Sequence, residues 1–411
     1  MTEKSLAMTE KKPAMAENSP SPSMSPPMAM LMAMAVASPV ALNIFAPVMP
    51  GLVEAFDTDQ FTVQLGFTLY LLTLAIGQFL SGPLADRYGR RPILLWGFLI
   101  HIAGCLLGAL AFEIWQVLLG RILQALGGCT GMLLARSILV EQHGRDKAAG
   151  YLGYITLGIA SAQAIAPTLG GYMNLAFSWQ SIFYLSMILG SLVWLGAIFY
   201  VPNNTQSLGQ GGGIGQLFGK YREVIKSRQY LYMVLSSTLI AACFFAFMTS
   251  APFVVDQALD GSSADYGNWF LLVAGGFFLG SMTAGKISAK LGVYRMIPLG
   301  HSLSLLAAVL MLVLFVTQGI SYQAMFIPMA LFTFGRGLSQ PNAQSAAIST
   351  ATTAPATATG MLGFIQLLVG SAVAQITPLV MQIDLVMLPV TLLLATALAM
   401  VTFKLGKAEN G

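Results

Sequence analysis

The sequence predicts an all-α polytopic membrane protein built from two pseudo-symmetric bundles of six helices each. Three observations support this prediction: the composition, the recurrence of long apolar segments, and the placement of the basic residues. Of the 411 residues, 56% are hydrophobic and only 9% are charged, whereas about a quarter of the residues in a soluble domain are charged. So few charges cannot form a water-exposed surface for a chain of this length, and a bilayer is the environment that fits it.

Apolar segments of about 18 or more residues recur along the whole chain, and each is long enough to cross the roughly 30 Å hydrocarbon core as a helix. We therefore predict twelve spans. Spans 1 to 6 are expected at residues 28–49, 62–83, 93–112, 115–139, 148–173 and 179–201. Spans 7 to 12 are expected at residues 229–251, 266–289, 296–317, 321–341, 356–381 and 384–404.

The basic residues orient these spans. Of the 20 Lys and Arg, three lie in the N-terminal tail, three fall inside spans, and the rest lie in alternate loops or the C-terminal tail. The opposite loops contain acidic residues and no Lys or Arg: Glu54, Asp57, Asp59, Glu113, Asp256, Asp260, Asp265 and Asp384. This positive-inside pattern predicts that both termini are cytoplasmic, and an even number of spans agrees with it.

Changes in composition divide the chain into five parts. Residues 1–27 are rich in Pro, Ser and Met and are expected to form a disordered cytoplasmic tail. The first apolar run begins near Met28, too late for a cleaved signal peptide. The remaining parts are an N-terminal bundle at 28–201, a linker at 202–228, a C-terminal bundle at 229–404 and a tail at 405–411. The linker is Gly-rich and then basic, and should end in a short helix on the inner membrane surface.

An internal repeat links the two halves. Residues Gly82–Pro92 read GPLADRYGRRP, and a shift of 203 residues aligns Gly82–Gly89 with Gly285–Gly292. Both segments follow the second span of their half, although Ala289 stands where the first copy has Asp86. Duplicated six-helix units are typical of transporters.

The GPLADRYGRRP segment resembles the signature loop of the major facilitator superfamily. RILQALGG (121–128) in span 4 is similar to the superfamily's RxxQGxG element, and APTLGG (166–171) in span 5 is similar to the GPxxGG antiporter element. NIFAPVMP (43–50) and SQPNA (339–343) resemble the first and tenth helices of bicyclomycin-resistance-type (Bcr/CflA) drug:proton antiporters. The resemblance implies a twelve-helix fold, alternating access in the bacterial inner membrane, exchange of a small molecule for protons, and function as a monomer.

The resemblance also implies residues that change conformation. Asp86 is expected to lie near a helix N-terminus of the facing bundle, to pair with basic groups, and so to latch the cytoplasmic side while the protein is outward-open. The alternative for the arginines of the loop is that they only anchor the topology. Pro167, Gly170 and Gly171 are expected to combine a bend with a close helix contact. The gating residues predicted in this way are Gly82, Asp86, Arg87, Gly89, Arg90, Arg91, Pro167, Gly170 and Gly171.

Charges inside spans are rare and usually functional. Arg121 and Arg336 lie deep in spans 4 and 10, whereas Arg136 lies near a span end and can reach the headgroups. Related drug antiporters carry an acid at the position of Asn43, which cannot titrate. A positive cavity would favour an anionic or carboxylate-rich substrate such as a siderophore-like metabolite. The predicted substrate-binding residues are Asn43, Arg121, Gln124, Gln163, Arg336 and Asn342.

The missing acid leaves the proton carrier open. His101 in span 3 and His301 in span 9 occupy similar places in the two halves, and imidazole titrates near neutral pH. They are the proton-coupling candidates. Hydrogen bonding between packed helices is the alternative role for both residues, and protonation of the substrate itself is the alternative for the coupling.

The leading prediction is thus a secondary active exporter of small organic molecules. The alternative is broad multidrug efflux of lipophilic compounds, and nutrient import is less favoured. We find no HExxH, no Gx4GK[ST] and no paired intramembrane acids, which argues against an enzyme. Cys105, Cys129 and Cys243 have no paired spacing and no nearby His ligand pattern, so neither a disulfide framework nor a metal site is indicated, and we predict no cofactor. A net charge of +4 without a basic stripe gives no indication of a nucleic-acid partner.

Overall fold

The computed structural model describes residues 26–201, 222, 224–351 and 355–408, without the side chains of 86, 141–150 and 355–356. All regular secondary structure in this part of the chain is helical. The predicted N-terminal tail lies outside it except for residues 26 and 27, as does most of the predicted linker, and residues 409–411 of the C-terminal tail lie outside it as well.

The helices match the predicted spans in number and order. Span 1 comprises helices Met28–Asn43 and Met49–Ala55, joined by a 3-10 turn at Ala46–Val48, and Ile114–Ala176 contains both span 4 and span 5. The other helices of the first half are Gln60–Tyr88 (span 2), Arg90–Ala109 (span 3) and Ser181–Tyr200 (span 6). Spans 7 to 12 are Arg228–Leu259, Ser263–Leu291, Val293–Gln318, Tyr322–Thr350, Pro355–Met381 and Met387–Ala408.

Within the described residues, eleven segments are long and apolar enough to cross a membrane, and span 10 is the twelfth long helix. Span 10 is too polar to be counted with the eleven because it contains side chains such as Arg336, Gln340 and Asn342. These three side chains are buried in the protein and do not face lipid. Span 10 is therefore a membrane helix whose polar side chains lie inside the bundle.

The segment between spans 2 and 3, expected as a loop, is helical. Span 2 continues to Tyr88, span 3 begins at Arg90, and Gly89 alone separates them. Gly89 has φ 91° and ψ 153°, a region open essentially to glycine only. Gly292 separates spans 8 and 9 with nearly the same geometry, φ 82° and ψ 148°. The repeat seen in the sequence is thus reproduced as one sharp helix reversal in each half.

Spans 4 and 5 are also joined without the expected loop, because helical backbone runs through residues 140–148. Contacts with span 1 nevertheless show that the chain reverses direction. In span 4, Gly128 lies against Ser38 of span 1 and the later Gly131 lies against the earlier Met34, so span 4 is antiparallel to span 1. In span 5, Gly158 lies against Met32 of span 1 and the later Gly170 lies against the later Pro47, so span 5 is parallel to span 1. The two arms are therefore antiparallel.

Glycines pack the helices closely in equivalent places of the two bundles. In the first half, a Cβ added at Gly120 of span 4 would lie 2.8 Å from the carbonyl oxygen of Gly104 in span 3. In the second half, a Cβ at Gly335 of span 10 would lie 2.5 Å from the carbonyl oxygen of Gly300 in span 9. These backbone contacts fix span 4 against span 3 and span 10 against span 9.

The bundles contact one another in both halves of the molecule. We call the end with Glu54, Glu113 and Asp260 the acidic end, and the end with Arg91, Lys286 and Arg295 the basic end. Nearer the basic end, the rings of Phe79 in span 2 and Phe364 in span 11 lie 5.9 Å apart. In the acidic half, hydrogen bonds join span 2 to spans 7 and 11, and span 5 to span 8. The side chains that donate these bonds, with their acceptors, are Gln64 to the carbonyl oxygen of Thr249 (3.4 Å), Thr68 to the side chain of Gln375 (2.7 Å), Thr168 to the carbonyl oxygen of Gly267 (2.7 Å) and Asn174 to the hydroxyl of Ser263 (3.1 Å). The acidic end is therefore closed between the bundles.

Candidate functional site

Arg121 lies where spans 1, 2 and 4 meet, and only 1% of the residue is exposed. Its Nη1 donates to the carbonyl oxygen of Ala41 at 2.7 Å and to Oε1 of Gln124 at 3.0 Å. Its Nε donates to the carbonyl oxygen of Gly66 at 3.2 Å. Each of these acceptors is neutral, whereas a buried charge is normally stabilised by an opposite charge. The guanidinium therefore holds a positive charge inside the N-terminal bundle.

Two aromatic rings enclose this charge. The guanidinium carbon of Arg121 lies 4.1 Å from the ring centroid of Tyr70 and 4.3 Å from that of Phe45. A desolvated cation–π contact stabilises by about 2 kcal/mol. The Tyr70 hydroxyl donates to the carbonyl oxygen of Ser38 at 3.0 Å, which fixes its ring to span 1. We call Arg121, Phe45 and Tyr70 the N-clamp.

Gln124 connects the N-clamp to His101. The Gln124 side chain accepts from Arg121 and donates through Nε2 to Sγ of Cys105 at 3.1 Å. Its backbone oxygen lies 2.9 Å from Nδ1 of His101, which is fully buried. The His101 ring packs against Gly190 of span 6, where an added Cβ would lie 2.8 Å from Cδ2. A single residue thus joins a predicted proton carrier to a predicted substrate residue.

Arg336 of span 10 has the equivalent arrangement in the C-terminal bundle. Its guanidinium carbon lies 4.3 Å from the ring centroid of Phe244 and 4.9 Å from that of Phe277. Its Nε donates to Oε1 of Gln340 at 2.5 Å. We call Arg336, Phe244 and Phe277 the C-clamp. It is less enclosed than the N-clamp, because Arg336 is 9% exposed and Phe277 is half-buried.

Sequence reasoning selected both arginines but missed this shared pattern. Gly120-Arg121-Ile-Leu123 and Gly335-Arg336-Gly-Leu338 are related by a shift of 215 residues, and a search for this short repeat in the sequence would have found it. Each clamp takes one ring from the first span of its half and one from the second: Phe45 and Tyr70, or Phe244 and Phe277. Nothing in the sequence alone singles out Phe45 or Phe277.

Two other predicted substrate residues, Asn43 and Asn342, donate hydrogen bonds to the backbone of their own helices. Nδ2 of Asn43 donates to the carbonyl oxygen of Pro39 at 2.7 Å, and Nδ2 of Asn342 donates to that of Leu338 at 2.8 Å. Both asparagines are buried. Gln163 of span 5 is half-buried. Asn43 lies at the end of the first helix of span 1, two residues before Phe45 of the N-clamp.

His301 differs from His101 in its surroundings. It is fully buried in span 9, and the Phe403 ring of span 12 lies edge-on at a centroid distance of 6.2 Å. Within the described residues, neither of its ring nitrogens has a hydrogen-bond partner. The structure therefore joins His101 to a clamp through Gln124, whereas His301 packs against an aromatic ring.

The predicted latch can be described only in part. The Asp86 side chain lies outside the described side chains, so its expected pairing is not tested. Arg87 is exposed over the ring of Tyr88, and Nη2 of Arg91 donates to the carbonyl oxygen of Ile198 at 2.7 Å. The Arg91 bond stays within the N-terminal bundle. Gly82 and Arg90 are half-buried at the same end.

The span 5 element lies at the closed acidic end. A Cβ added at Gly170 would lie 3.1 Å from Cγ of Pro47, at the break in span 1. A Cβ at Gly171 would overlap the carbonyl oxygen of Ser263 in span 8. The carbonyl oxygen of Pro167 faces Gly267, 2.9 Å from the position of an added Cβ. Pro167, Gly170 and Gly171 therefore place span 5 against both span 1 and the opposite bundle.

No group of three or more potential metal ligands occurs among the described residues. The three cysteines are buried and free. Within the described part of the membrane region, the principal candidate functional groups are therefore the two clamps together with Gln124, Gln340 and His101.

The sequence matches the family model of the Major Facilitator Superfamily over residues 31–374. The chain is 27% identical over 336 residues to the multidrug transporter MdfA of Edwardsiella ictaluri (strain 93-146), covering 80% of each protein. It is 24% identical over 334 residues to the multidrug transporter MdfA of Yersinia pestis bv. Antiqua (strain Angola), covering 80% of this chain and 81% of the relative.

Solved structures show the same fold at low identity. A mutant of the peptide transporter POT in complex with sulfate has a TM-score of 0.74 at 16% identity, over 94% of this chain and 97% of that one. A bacterial homologue of the human lysosomal transporter Spinster, inward-facing and unoccupied, has a TM-score of 0.70 at 14% identity, over 92% and 96% of the two chains. These likenesses confirm the predicted twelve-helix architecture.

Proposed function

This chain belongs to the major facilitator superfamily, and from that premise we propose that it exports small lipophilic organic compounds by proton antiport. The observation that carries the proposal is the similarity to multidrug transporters over 80% of both chains. The multidrug alternative has this support, whereas the carboxylate substrate expected from the sequence has none from the relatives. We place the protein in the bacterial cytoplasmic membrane, where it works as a single chain.

The basic end faces the cytoplasm in this proposal, because the positive-inside pattern puts the basic loops there. The hydrogen bonds at the acidic end then close the outer side, as an inward-facing state requires. Export exchanges these contacts for contacts at the basic end, so that the two bundles rock about a site near the middle of the membrane. Each of these hydrogen bonds contributes only about 1 kcal/mol, so breaking them costs little free energy.

We assign different roles to the two clamps. The C-clamp is the partly accessible one, with Arg336 at 9% exposure and Phe277 half-buried. Its rings offer an aromatic surface for lipophilic substrates, in keeping with the apolar lining of most small-molecule sites. The N-clamp is closed, since Phe45 and Tyr70 are fully buried and Arg121 is 1% exposed. It serves coupling and not substrate contact.

His101 is the coupling group in this proposal. Its Nδ1 lies 2.9 Å from the Gln124 carbonyl, and Gln124 accepts from the Arg121 guanidinium. A proton bound at the imidazole adds a second positive charge beside the N-clamp and repels Arg121. This repulsion favours the conformation that moves the two groups apart, and loss of the proton on the other side restores the first conformation.

One observation favours an anionic substrate as the second candidate. Nε is the Arg336 atom that bonds to Gln340, and Arg336 keeps 9% exposure. The outer edge of a guanidinium is the edge that binds a carboxylate through two parallel hydrogen bonds. In this second candidate a carboxylate binds this edge while an aromatic part of the same molecule contacts Phe277.

Ligand-induced thermal stabilisation of the purified protein separates these two substrates. The panel compares lipophilic cations and neutral compounds with size-matched carboxylates, for the natural protein and for Arg121→Ala and Arg336→Ala. We expect stabilisation by the lipophilic compounds that persists in Arg336→Ala. Stabilisation by carboxylates alone, lost in Arg336→Ala, would transfer the proposal to the anionic substrate.

A further inference from the structure

A lipid-facing groove lies between spans 8, 9 and 10 in the C-terminal bundle. It encloses about 440 Å³, and it runs from the basic end toward the middle of the membrane. Its walls include Ile287 and Leu291 of span 8, Met296 and Leu299 of span 9, and Phe334 of span 10. The lining is almost wholly apolar, so the groove suits a hydrocarbon chain.

Three basic residues lie on the helix segments that form the part of the groove nearest the basic end, which we call its mouth. Lys286, Lys290 and Arg295 are all exposed. Each directly precedes a residue of the groove wall, namely Ile287, Leu291 and Met296 respectively. Lys286 and Lys290 lie one helical turn apart on span 8, and the single-residue turn at Gly292 brings the start of span 9 beside them.

The charge of this mouth has one sign. The segment Gly285–Met296 reads GKISAKLGVYRM and contains no acidic residue, because Ala289 replaces the acid of the first-half copy. Span 9 also begins here at Val293, and its N-cap residue Gly292 provides no side chain to cap the first N–H groups. The N-terminus of a helix attracts negative charge, so the backbone reinforces the three cations.

We infer that this groove and its basic mouth form a binding site for an anionic phospholipid, with the phosphate headgroup on Lys286, Lys290 and Arg295 and an acyl chain in the groove. The bilayer supplies such a ligand at the depth where the groove lies. Basic clusters beside membrane helices recognise anionic headgroups, and the continuous apolar wall fits the chain of the same molecule. The site is separate from both clamps and does not rest on the proposed transport.

Native mass spectrometry of the full chain tests this site, with phosphatidylglycerol and phosphatidylcholine of identical acyl chains as probes. The test variant carries Lys286→Gln, Lys290→Gln and Arg295→Gln. The matched control carries Arg228→Gln, Lys404→Gln and Lys407→Gln, which remove three exposed basic side chains at the same end of the same bundle. A third variant, Ser302→Trp, fills the groove at an exposed lining residue without a change of charge.

Each basic residue near an anionic surface strengthens binding about fivefold, so the test variant should lose affinity for phosphatidylglycerol on the order of 100-fold. The control should keep most of its preference for phosphatidylglycerol over phosphatidylcholine. Equal losses in the test and control variants, or no loss in either, would overturn the headgroup site. Ser302→Trp should weaken the binding of both lipids. Unchanged binding of both lipids in that variant would overturn the placement of the acyl chain. Displacement of both lipids by lipophilic compounds would show that the groove prefers such compounds, and would overturn the lipid as its occupant.

Discussion

Each bundle contains one arginine between two aromatic rings. The rarity of charged residues inside membrane spans was sufficient to predict Arg121 and Arg336 as important. The partners could not be predicted, because Phe45 and Tyr70 lie 76 and 51 residues before Arg121 in the sequence. Aromatic residues are common in these spans, so only tertiary packing shows which rings enclose the guanidinium.

Arg121→Lys is expected to reduce transport by tenfold or more while the protein still folds. Lysine keeps the charge but offers one nitrogen where arginine uses two, Nε toward Gly66 and Nη1 toward Ala41 and Gln124, and it lacks the planar face that stacks on the rings. A hydrogen bond to a charged group contributes about 1.5–3 kcal/mol, enough for this loss. Initial rates in inside-out vesicles measure it. Arg136→Lys is the control, since Arg136 is exposed on the same span. Equal rates in the two variants would contradict the role of the N-clamp.

His101→Gln should uncouple transport from the pH gradient, because His101 connects to Arg121 through Gln124. Glutamine can still bond to the Gln124 carbonyl but cannot bind a proton near neutral pH. The measurement is substrate-induced proton release in vesicles. His301→Gln is the matched control from the equivalent span and should retain coupling. Full coupling in His101→Gln would show that the imidazole is a packing group, the alternative weighed for both histidines.

At the scale of helices, the sequence predicted the number and order of the spans but not how they are joined. Charge density marked Gly82–Pro92 as a loop, yet the segment is helical up to Tyr88. Charged residues lower hydropathy without lowering helix propensity, so a hydropathy pattern ends a membrane span before the helix itself ends. The turn needs only Gly89, whose backbone angles a side chain would forbid.

Gly171→Ala should weaken closure of the acidic end. A methyl group there would overlap the carbonyl oxygen of Ser263 in the opposite bundle, whereas Gly153→Ala on the same span meets nothing within 4 Å. Overpacking of this kind costs about 1–3 kcal/mol, which shifts a two-state equilibrium about 5- to 150-fold. Labelling of Thr168→Cys by a membrane-impermeant maleimide reports the opening, because Thr168 bonds to Gly267 across the closed interface.

Labelling should increase in the Gly171→Ala background and stay unchanged in the Gly153→Ala background. The three native cysteines are buried and should contribute little to the signal. Equal labelling in both backgrounds would show that span 5 does not control the acidic end.

At the scale of the whole molecule, composition and charge placement were sufficient to predict a twelve-span membrane protein with two related halves. The repeated Gly89 and Gly292 turns and the two clamps extend this relation into three dimensions. The contacts between the halves could not be predicted. Gln64, Thr68 and Thr168 read as ordinary polar residues of apolar spans, and their partners lie 99 to 307 residues away.

The halves are related but not equivalent, and their differences bear on function. The N-clamp is closed and joined to His101, whereas the C-clamp is partly accessible and His301 stands apart from it. We propose from these differences a division of labour, with coupling in the first bundle and substrate contact in the second. Proton-driven export of lipophilic compounds is the central claim that this division supports.

Transport by the purified protein in liposomes with an imposed pH gradient tests this claim most directly. The assay compares a fluorescent lipophilic cation with an aromatic carboxylate of similar size. We predict accumulation of the lipophilic compound against its gradient, abolished by a protonophore and reduced at least tenfold by Arg121→Lys. Transport of the carboxylate alone, or movement of either compound that ignores the pH gradient, would contradict the account.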